Sequence, residues 1–203
     1  MSAAKCWSCG EDRALPDPLC AACGRVQPPA PGAAPDKFAV LGLARGYELD
    51  LAQVEERYRA LSRKLHPDRF TRASPKERRF SLEQTTLLND AWRTLKDPAR
   101  RAEHLLELRG VKVASDVKMS PEFLEQTLED REKLMDAKLS GEPLDALARG
   151  VREKRDAAMA EVRNLLVGPG NGEVDPARAA DLLARMRYYA RYLDEVEGRE
   201  AEI

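Results

Sequence analysis

Four cysteines and one histidine–proline–aspartate triplet are the residues whose types and spacing could do chemistry. All four cysteines fall within the first 23 residues, as Cys6-Trp7-Ser8-Cys9-Gly10 and Cys20-Ala21-Ala22-Cys23-Gly24. Each C-x-x-C-G unit can turn two thiolates towards one ion, and the trailing glycine permits the tight turn of a zinc knuckle. Together Cys6, Cys9, Cys20 and Cys23 make a closed tetrahedral shell, so the expected cofactor is a structural zinc with no open position for catalysis. A redox pair would sit at the start of a helix in a thioredoxin-like βαβ setting, which is absent here. Disulfides do not suit a reducing compartment.

The second group, His66-Pro67-Asp68, is by itself a polar turn. What precedes and follows it gives it more meaning. Leu51, Val54, Tyr58, Leu61 and Leu65 recur at helical spacing and predict one apolar stripe. Arg57, Arg59, Arg63 and Lys64 make the second half of that helix basic. Proline disfavours the α region for the residue before it, so the helix should end near Leu65. A second helix is announced by Ser74-Pro75-Lys76-Glu77, which supplies an N-cap serine, an N1 proline and a capping-box glutamate. Phe80, Leu87, Leu88, Ala91, Trp92 and Leu95 then provide a facing stripe for an antiparallel hairpin.

A basic helix ending in His-Pro-Asp, a loop, and a returning helix with Asn89-Asp90-Ala91-Trp92 and Asp97-Pro98 resembles a J-domain. That module is the one with which J-proteins engage DnaK-type chaperone ATPases. Lys37 to Leu43 resembles the opening of J-domains, with Gly42 placed to end a short first helix. Asp50 is a suitable N-cap for the basic helix, and a fourth helix is expected from Pro98 to Gly110. The stretch LNDAWRTLKDPARRAEHLLELRG is more specific and looks like the HscB class of co-chaperones, which serve iron–sulfur cluster assembly. Members join a J-domain to a carboxy-terminal helical bundle, and some carry an amino-terminal tetracysteine zinc segment.

That resemblance implies that His66, Pro67 and Asp68, with Arg57, Arg59, Arg63 and Lys64, contact a DnaK/HscA-type chaperone ATPase. Glu55, Glu56 and Ala60 stand where general J-domains carry cations, which favours a dedicated ATPase. His104, at a position often occupied by tyrosine, is expected to pack and not to bind metal.

After a polar connector at 111–120, three further amphipathic helices predict an antiparallel bundle. The first starts at Ser120-Pro121 and carries Phe123, Leu124, Leu128, Leu134, Met135 and Leu139. The second follows Pro143 and stops at the breaker cluster Gly168–Gly172. The third starts at Asp175-Pro176. More apolar residues are present than one seam needs, and Leu124, Leu128, Tyr188 and Tyr192 could equally widen a core face. The resemblance implies that Leu124, Leu128, Glu129, Arg131, Glu132, Arg187 and Tyr188 receive the iron–sulfur cluster scaffold protein, an IscU-like partner. Glu125 departs from the aliphatic residue common there.

The fold class is therefore all-α: a J-domain helical hairpin plus a three-helix bundle, preceded by a small zinc-knuckle segment. The expected divisions are 1–27 zinc segment, 28–35 Pro/Ala linker, 36–110 J-domain and 111–203 bundle. The 203 residues hold 43 % hydrophobic, 5 % aromatic and 34 % charged residues, which suits helices with solvated outer faces. A net charge of −1 gives no reason to expect nucleic-acid binding, and near the knuckle only Lys5, Arg13 and Arg25 are basic. No apolar run approaches the roughly 20 residues that span a bilayer, and no signal-peptide core opens the chain, so the expected location is cytoplasmic. No phosphate loop, Ser/His/Asp order or open metal site points to an enzyme. The alternative function is a general J-domain protein that delivers other clients to a DnaK-type chaperone.

Overall fold

In the computed structural model, which describes residues 3–14, 17–30, 35–111, 120–167 and 174–198, helices dominate the chain. Two units result, one ending at His104 and the other starting at Leu105. The first opens with two short antiparallel strands, β1 (Ala3–Lys5) and β2 (Asp12–Ala14), with Ala4 opposite Arg13. Strands of three residues are too short to show an alternating pattern, and the sequence reading missed them.

Helix α1 (Lys37–Val40) is capped by Asp36, whose carboxylate accepts from the Phe38 N–H at 2.9 Å. Gly42 then takes a left-handed φ of +64°, which turns the chain out of the helix. Helix α2 (Leu51–Leu65) starts as expected, with the Asp50 carboxylate accepting from the Ala52 and Gln53 N–H groups. One turn of 3₁₀ helix covers Pro67–Phe70. Helix α3 (Pro75–Lys96) carries the complete capping box between Ser74 and Glu77. Helix α4 (Pro98–Leu108) follows directly.

The hairpin core is Phe38, Leu41, Val54, Leu65, Leu88, Ala91 and Leu95. Leu51 is the exception to the predicted stripe, at 43 % exposed. Periodicity locates a face but cannot say where along it the partner helix stops. Tyr58 and Trp92 stack across the hairpin at 5.3 Å, with the Tyr58 hydroxyl on the Asn89 side-chain oxygen at 3.0 Å.

The second unit is the expected three-helix bundle, α5 (Pro121–Ser140), α6 (Asp145–Val167) and α7 (Pro176–Val196). Ser120 and Asp175 cap α5 and α7, and Gly141 ends α5 in the left-handed conformation at φ +72°. The backbones of α6 and α7 lie closest together, while α5 meets them through longer side chains. The connector at 112–119, the cluster Gly168–Gly172 and residues 31–34 of the Pro/Ala stretch lie outside the described residues.

Candidate functional site

The cysteine cluster is built from two turns with the same wiring. The Gly10 N–H donates to the Cys6 carbonyl and the Gly24 N–H to the Cys20 carbonyl; the Cys6 and Cys20 N–H groups donate to the Glu11 and Arg25 carbonyls. Gly10 and Gly24 take φ of +76° and +70°, conformations that a side chain would strain. This repeat brings all four sulfurs within 4.8 Å of one another, with Cys6–Cys23 at 3.7 Å and Cys9–Cys20 at 3.8 Å. A tetrahedral ion with metal–sulfur bonds of about 2.3 Å needs sulfur–sulfur edges of about 3.8 Å, so the donor set fits zinc.

Electrostatics agree. The Cys9 and Ser8 N–H groups bring the Cys6 thiol down to about 6. The Glu11 N–H likewise favours the Cys9 thiolate, but the Cys6, Cys23 and Cys20 sulfurs, together with burial, outweigh it and push Cys9 up to about 12. Four sulfurs this close are all ionised only with a cation among them.

One polar contact of the cluster left no signal in the sequence. Gln27, fully buried, donates its amide to the Cys6 sulfur at 3.2 Å and to the Arg25 carbonyl at 2.9 Å. Its backbone carbonyl accepts from the Gln84 side-chain amide of α3 at 3.0 Å. The segment holds α3 at two further points. Arg25 pairs with the buried Glu77 at 2.7 Å, and Trp7 meets Phe80 edge-on at 5.9 Å beneath the Lys76 ammonium. The cysteine segment thus belongs to the same unit as the hairpin.

At the end of α2 the Leu65 carbonyl has lost its helical partner, because the chain turns at Pro67. Two hydroxyls from α3 replace it: Ser81 at 2.6 Å and Thr85 at 3.1 Å. The imidazole of His66 is exposed and folds back so that Nδ1 accepts from the Asp68 N–H at 3.3 Å. With Nδ1 the acceptor, Nε2 carries the proton in the neutral ring. The Asp68 carboxylate is also exposed, with one oxygen 3.6 Å from Nδ1. Of the four predicted cations, Arg57 reaches back to the Gly42 carbonyl and Arg59 pairs with Glu55 at 2.6 Å. Arg63 and Lys64 lie exposed next to His66.

The predicted bundle face divides. Leu124 and Leu128 are 47 % and 65 % exposed, and Met135 and Leu139 continue the same stripe. At 3.6 residues per turn that stripe lies roughly a third of a turn from the core face of Phe123, Leu134 and Ala137. Exposed Glu129, Arg131 and Glu132 flank it, and Glu129 pairs with Lys133. Arg187 is half-buried.

Tyr188 requires correction. It is buried, not part of an exposed patch; its hydroxyl donates to the Thr127 carbonyl at 3.1 Å and its ring meets Phe123 at 5.6 Å. Burial, reinforced by the Asp130 charge, pushes its phenol up to about 12, so it stays a neutral donor. Tyr192 does the same to the Asp130 carbonyl. The two tyrosines are long enough to span the wider gap between α5 and α7, which is why they face inward.

His104 is buried, stacked on Phe38 at 5.9 Å, and its Nε2 accepts from the Lys37 N–H at 3.1 Å. It packs, as expected.

Residues 36–104 match the model of the DnaJ domain, and residues 119–197 match that of the HSCB C-terminal oligomerisation domain. The iron–sulfur cluster co-chaperone protein HscB of Mus musculus is 30 % identical over 96 % of this chain and 82 % of its own length. A co-chaperone protein HscB homolog of Aeromonas hydrophila is 38 % identical, covering 80 % of this chain and 95 % of its own. Among solved structures, human co-chaperone protein HscB aligns with a TM-score of 0.79 at 27 % identity, over 98 % of this chain and all of that one. Chaperone HscB from Vibrio cholerae aligns at 0.71 and 32 % identity, over 80 % and 95 %. The chain belongs to the HscB family, with a DnaJ-type domain ahead of the family's own carboxy-terminal domain.

Proposed function

We propose that this protein is a co-chaperone of iron–sulfur cluster assembly that stimulates a DnaK/HscA-type ATPase and delivers an IscU-like scaffold protein to it. The carrying observation is the exposed His66-Pro67-Asp68 turn, held at the end of α2 by the Ser81 and Thr85 hydroxyls. An exposed turn whose imidazole is oriented by the Asp68 N–H suits recognition of one conformation of a partner. Binding tighter to the hydrolysis-competent state of the ATPase shifts its population towards that state, so this chain needs no catalytic group of its own. Arg63 and Lys64, with Arg57 and Arg59 behind them, speed encounter with an acidic groove, an effect that weakens with salt.

The scaffold docks on the apolar stripe of α5, centred on Leu124 and Leu128 and rimmed by Glu129, Arg131, Glu132 and Arg187. Cys6, Cys9, Cys20 and Cys23 hold a structural zinc, whose binding energy becomes folding energy of the amino-terminal segment. No helix among the described residues is long and apolar enough to cross a membrane, and the site of action proposed is cytoplasmic.

The test is His66→Gln, read by ATPase stimulation with and without the scaffold protein. Stimulation is expected to be lost with the fold and scaffold binding intact. Unchanged stimulation would overturn the reading. In the unsubstituted chain, synergy between co-chaperone and scaffold selects cluster assembly over general client delivery.

A further inference from the structure

The cysteine segment and the chaperone-contact turn grip the same stretch of α3 from two sides. Counting along that helix, Glu77, Phe80 and Gln84 receive Arg25, Trp7 and Gln27 of the cysteine segment. Ser81 and Thr85, interleaved with them, hold the Leu65 carbonyl from which the His66-Pro67-Asp68 turn hangs. The two sets alternate within about two and a half helical turns. An apolar crevice also joins them: Pro18 and Pro29 of the amino-terminal stretch line it together with Leu61, Leu65 and Leu88 of the hairpin.

The segment's three gripping residues are placed by the cluster itself. Trp7 follows Cys6 directly, its indole N–H on the Val26 carbonyl at 2.8 Å, and Arg25 and Gln27 follow Cys23 closely. Gln27 touches both, with its side-chain amide on the Cys6 sulfur and its backbone carbonyl accepting from Gln84. So short a segment, with two three-residue strands, holds that arrangement only when the four sulfurs are gathered on an ion.

The geometry points to a positioning role for the amino-terminal segment: when zinc is bound, it braces residues 77–85 of α3 and thereby fixes the His66-Pro67-Asp68 turn. Losing the metal loosens the turn without melting the hairpin, since buried Val54, Ala91 and Leu95 lie outside both the crevice and the three grip points. A chaperone ATPase then meets a fraction of competent molecules, and apparent affinity falls by that fraction. The segment does not touch the partner; it acts through Ser81 and Thr85. The inference rests on the reading of the turn as the ATPase contact.

Hydrogen exchange on the full chain tests it, with zinc bound and with zinc removed by a chelator. The reporters are the N–H groups of Asp68, Arg69 and Ala73, which donate to His66 Nδ1, the His66 carbonyl and the Phe70 carbonyl. Removing zinc is expected to speed exchange at all three by ~10-fold, while amides 88–95 of α3 and those of α5 to α7 stay protected.

A variant combining Trp7→Ala and Arg25→Ala removes two of the three contacts and spares the ligands. It should keep one zinc per chain and yet exchange at the turn as the zinc-free protein does, with Arg25→Lys alone restoring protection. Three results would overturn the brace. One is an unchanged turn after zinc removal. The second is wild-type exchange at the turn in the double variant. The third is loss of protection throughout 51–96, which would make the segment a requirement for folding. Exchange is blind to the ATPase. If His66→Gln stimulates normally while the turn responds to zinc, the contact reading fails and the brace stands.

Discussion

Both units use hydroxyls on backbone carbonyls, and the two uses differ. In the first, Ser81 and Thr85 donate to the Leu65 carbonyl, the last of α2, which has no helical partner. In the second, Tyr188 and Tyr192 donate to the Thr127 and Asp130 carbonyls in mid-α5, where an i+4 N–H is already in place. The first pair satisfies a group that would otherwise be orphaned, so it determines where a chain turn points. The second pair adds a bond to satisfied carbonyls, so it sets the spacing between two helices. A unit whose function lies in an exposed turn needs the first device; a unit that presents a helix face needs the second.

Removing the metal is the largest perturbation and separates the units most sharply. Zinc contributes about 10–16 kcal/mol of apparent binding energy in small zinc-folded peptides. A chelator should therefore abolish the ordered structure of residues 3–14 and 17–30 and leave the melting of the bundle unchanged, as followed by calorimetry. A shared shift of both transitions would break the separation.

Within the bundle, the sharpest contrast is between Phe123 and Leu128. Phe123 is 2 % exposed and surrounded by Tyr188, Tyr189 and the Arg185 guanidinium, so Phe123→Ala should cost about 3–5 kcal/mol in denaturant melts. Leu128→Ala should cost under about 0.5 kcal/mol, since that side chain is largely in water. Combined with Leu124→Ala, it should abolish scaffold binding in a pull-down with the fold intact. Retained binding would place the docking face elsewhere.

Two sets of substitutions separate the carbonyl contacts of the two units. Ser81→Ala with Thr85→Val strips the Leu65 carbonyl of both donors and should cost about 1–3 kcal/mol, the penalty of an unsatisfied buried acceptor. Tyr188→Phe leaves the Thr127 carbonyl with its helical partner and should cost about 1 kcal/mol or less. Equal costs would remove the distinction drawn between the two devices.

These contrasts also mark how far the sequence could be read. Features written in adjacent residues were legible: the caps at Asp50, Ser74, Ser120 and Asp175, the four cysteines and the proline stop at Pro67. The bundle was legible as three helices but not in its inward face. Phe123 and Leu124, or Leu134 and Met135, are neighbours of equal hydrophobicity, and only the neighbouring helices decide which of each pair is covered. Tyr188 could be read as core or as docking face, because nothing in its own helix records how far away α5 stands. The grip of the cysteine segment on α3 left no trace either. Arg25 with Glu77 and the Gln27 backbone carbonyl with Gln84 are polar pairs more than 50 residues apart, and nothing near any of the four in the sequence points to its partner.

That grip is tested most directly through pH. Burial alone would raise the Glu77 carboxyl, but the Ser74 hydroxyl and N–H and the Arg25 guanidinium together hold it below its ordinary value of 4.5. A carboxyl lowered on folding contributes its stability above the unfolded value, and that contribution is lost as pH falls through the folded one. Glu77→Gln removes the charge and keeps the shape, so it should cost about 1 kcal/mol at neutral pH. As pH falls below 4.5, wild type should lose that advantage and the two thermal melts should converge. Acid also strips thiolate-bound zinc, which lowers both proteins alike, so the difference between them is the quantity to follow. A gap that persists unchanged at acid pH would mean that Glu77 acts through packing and not through its charge on Arg25.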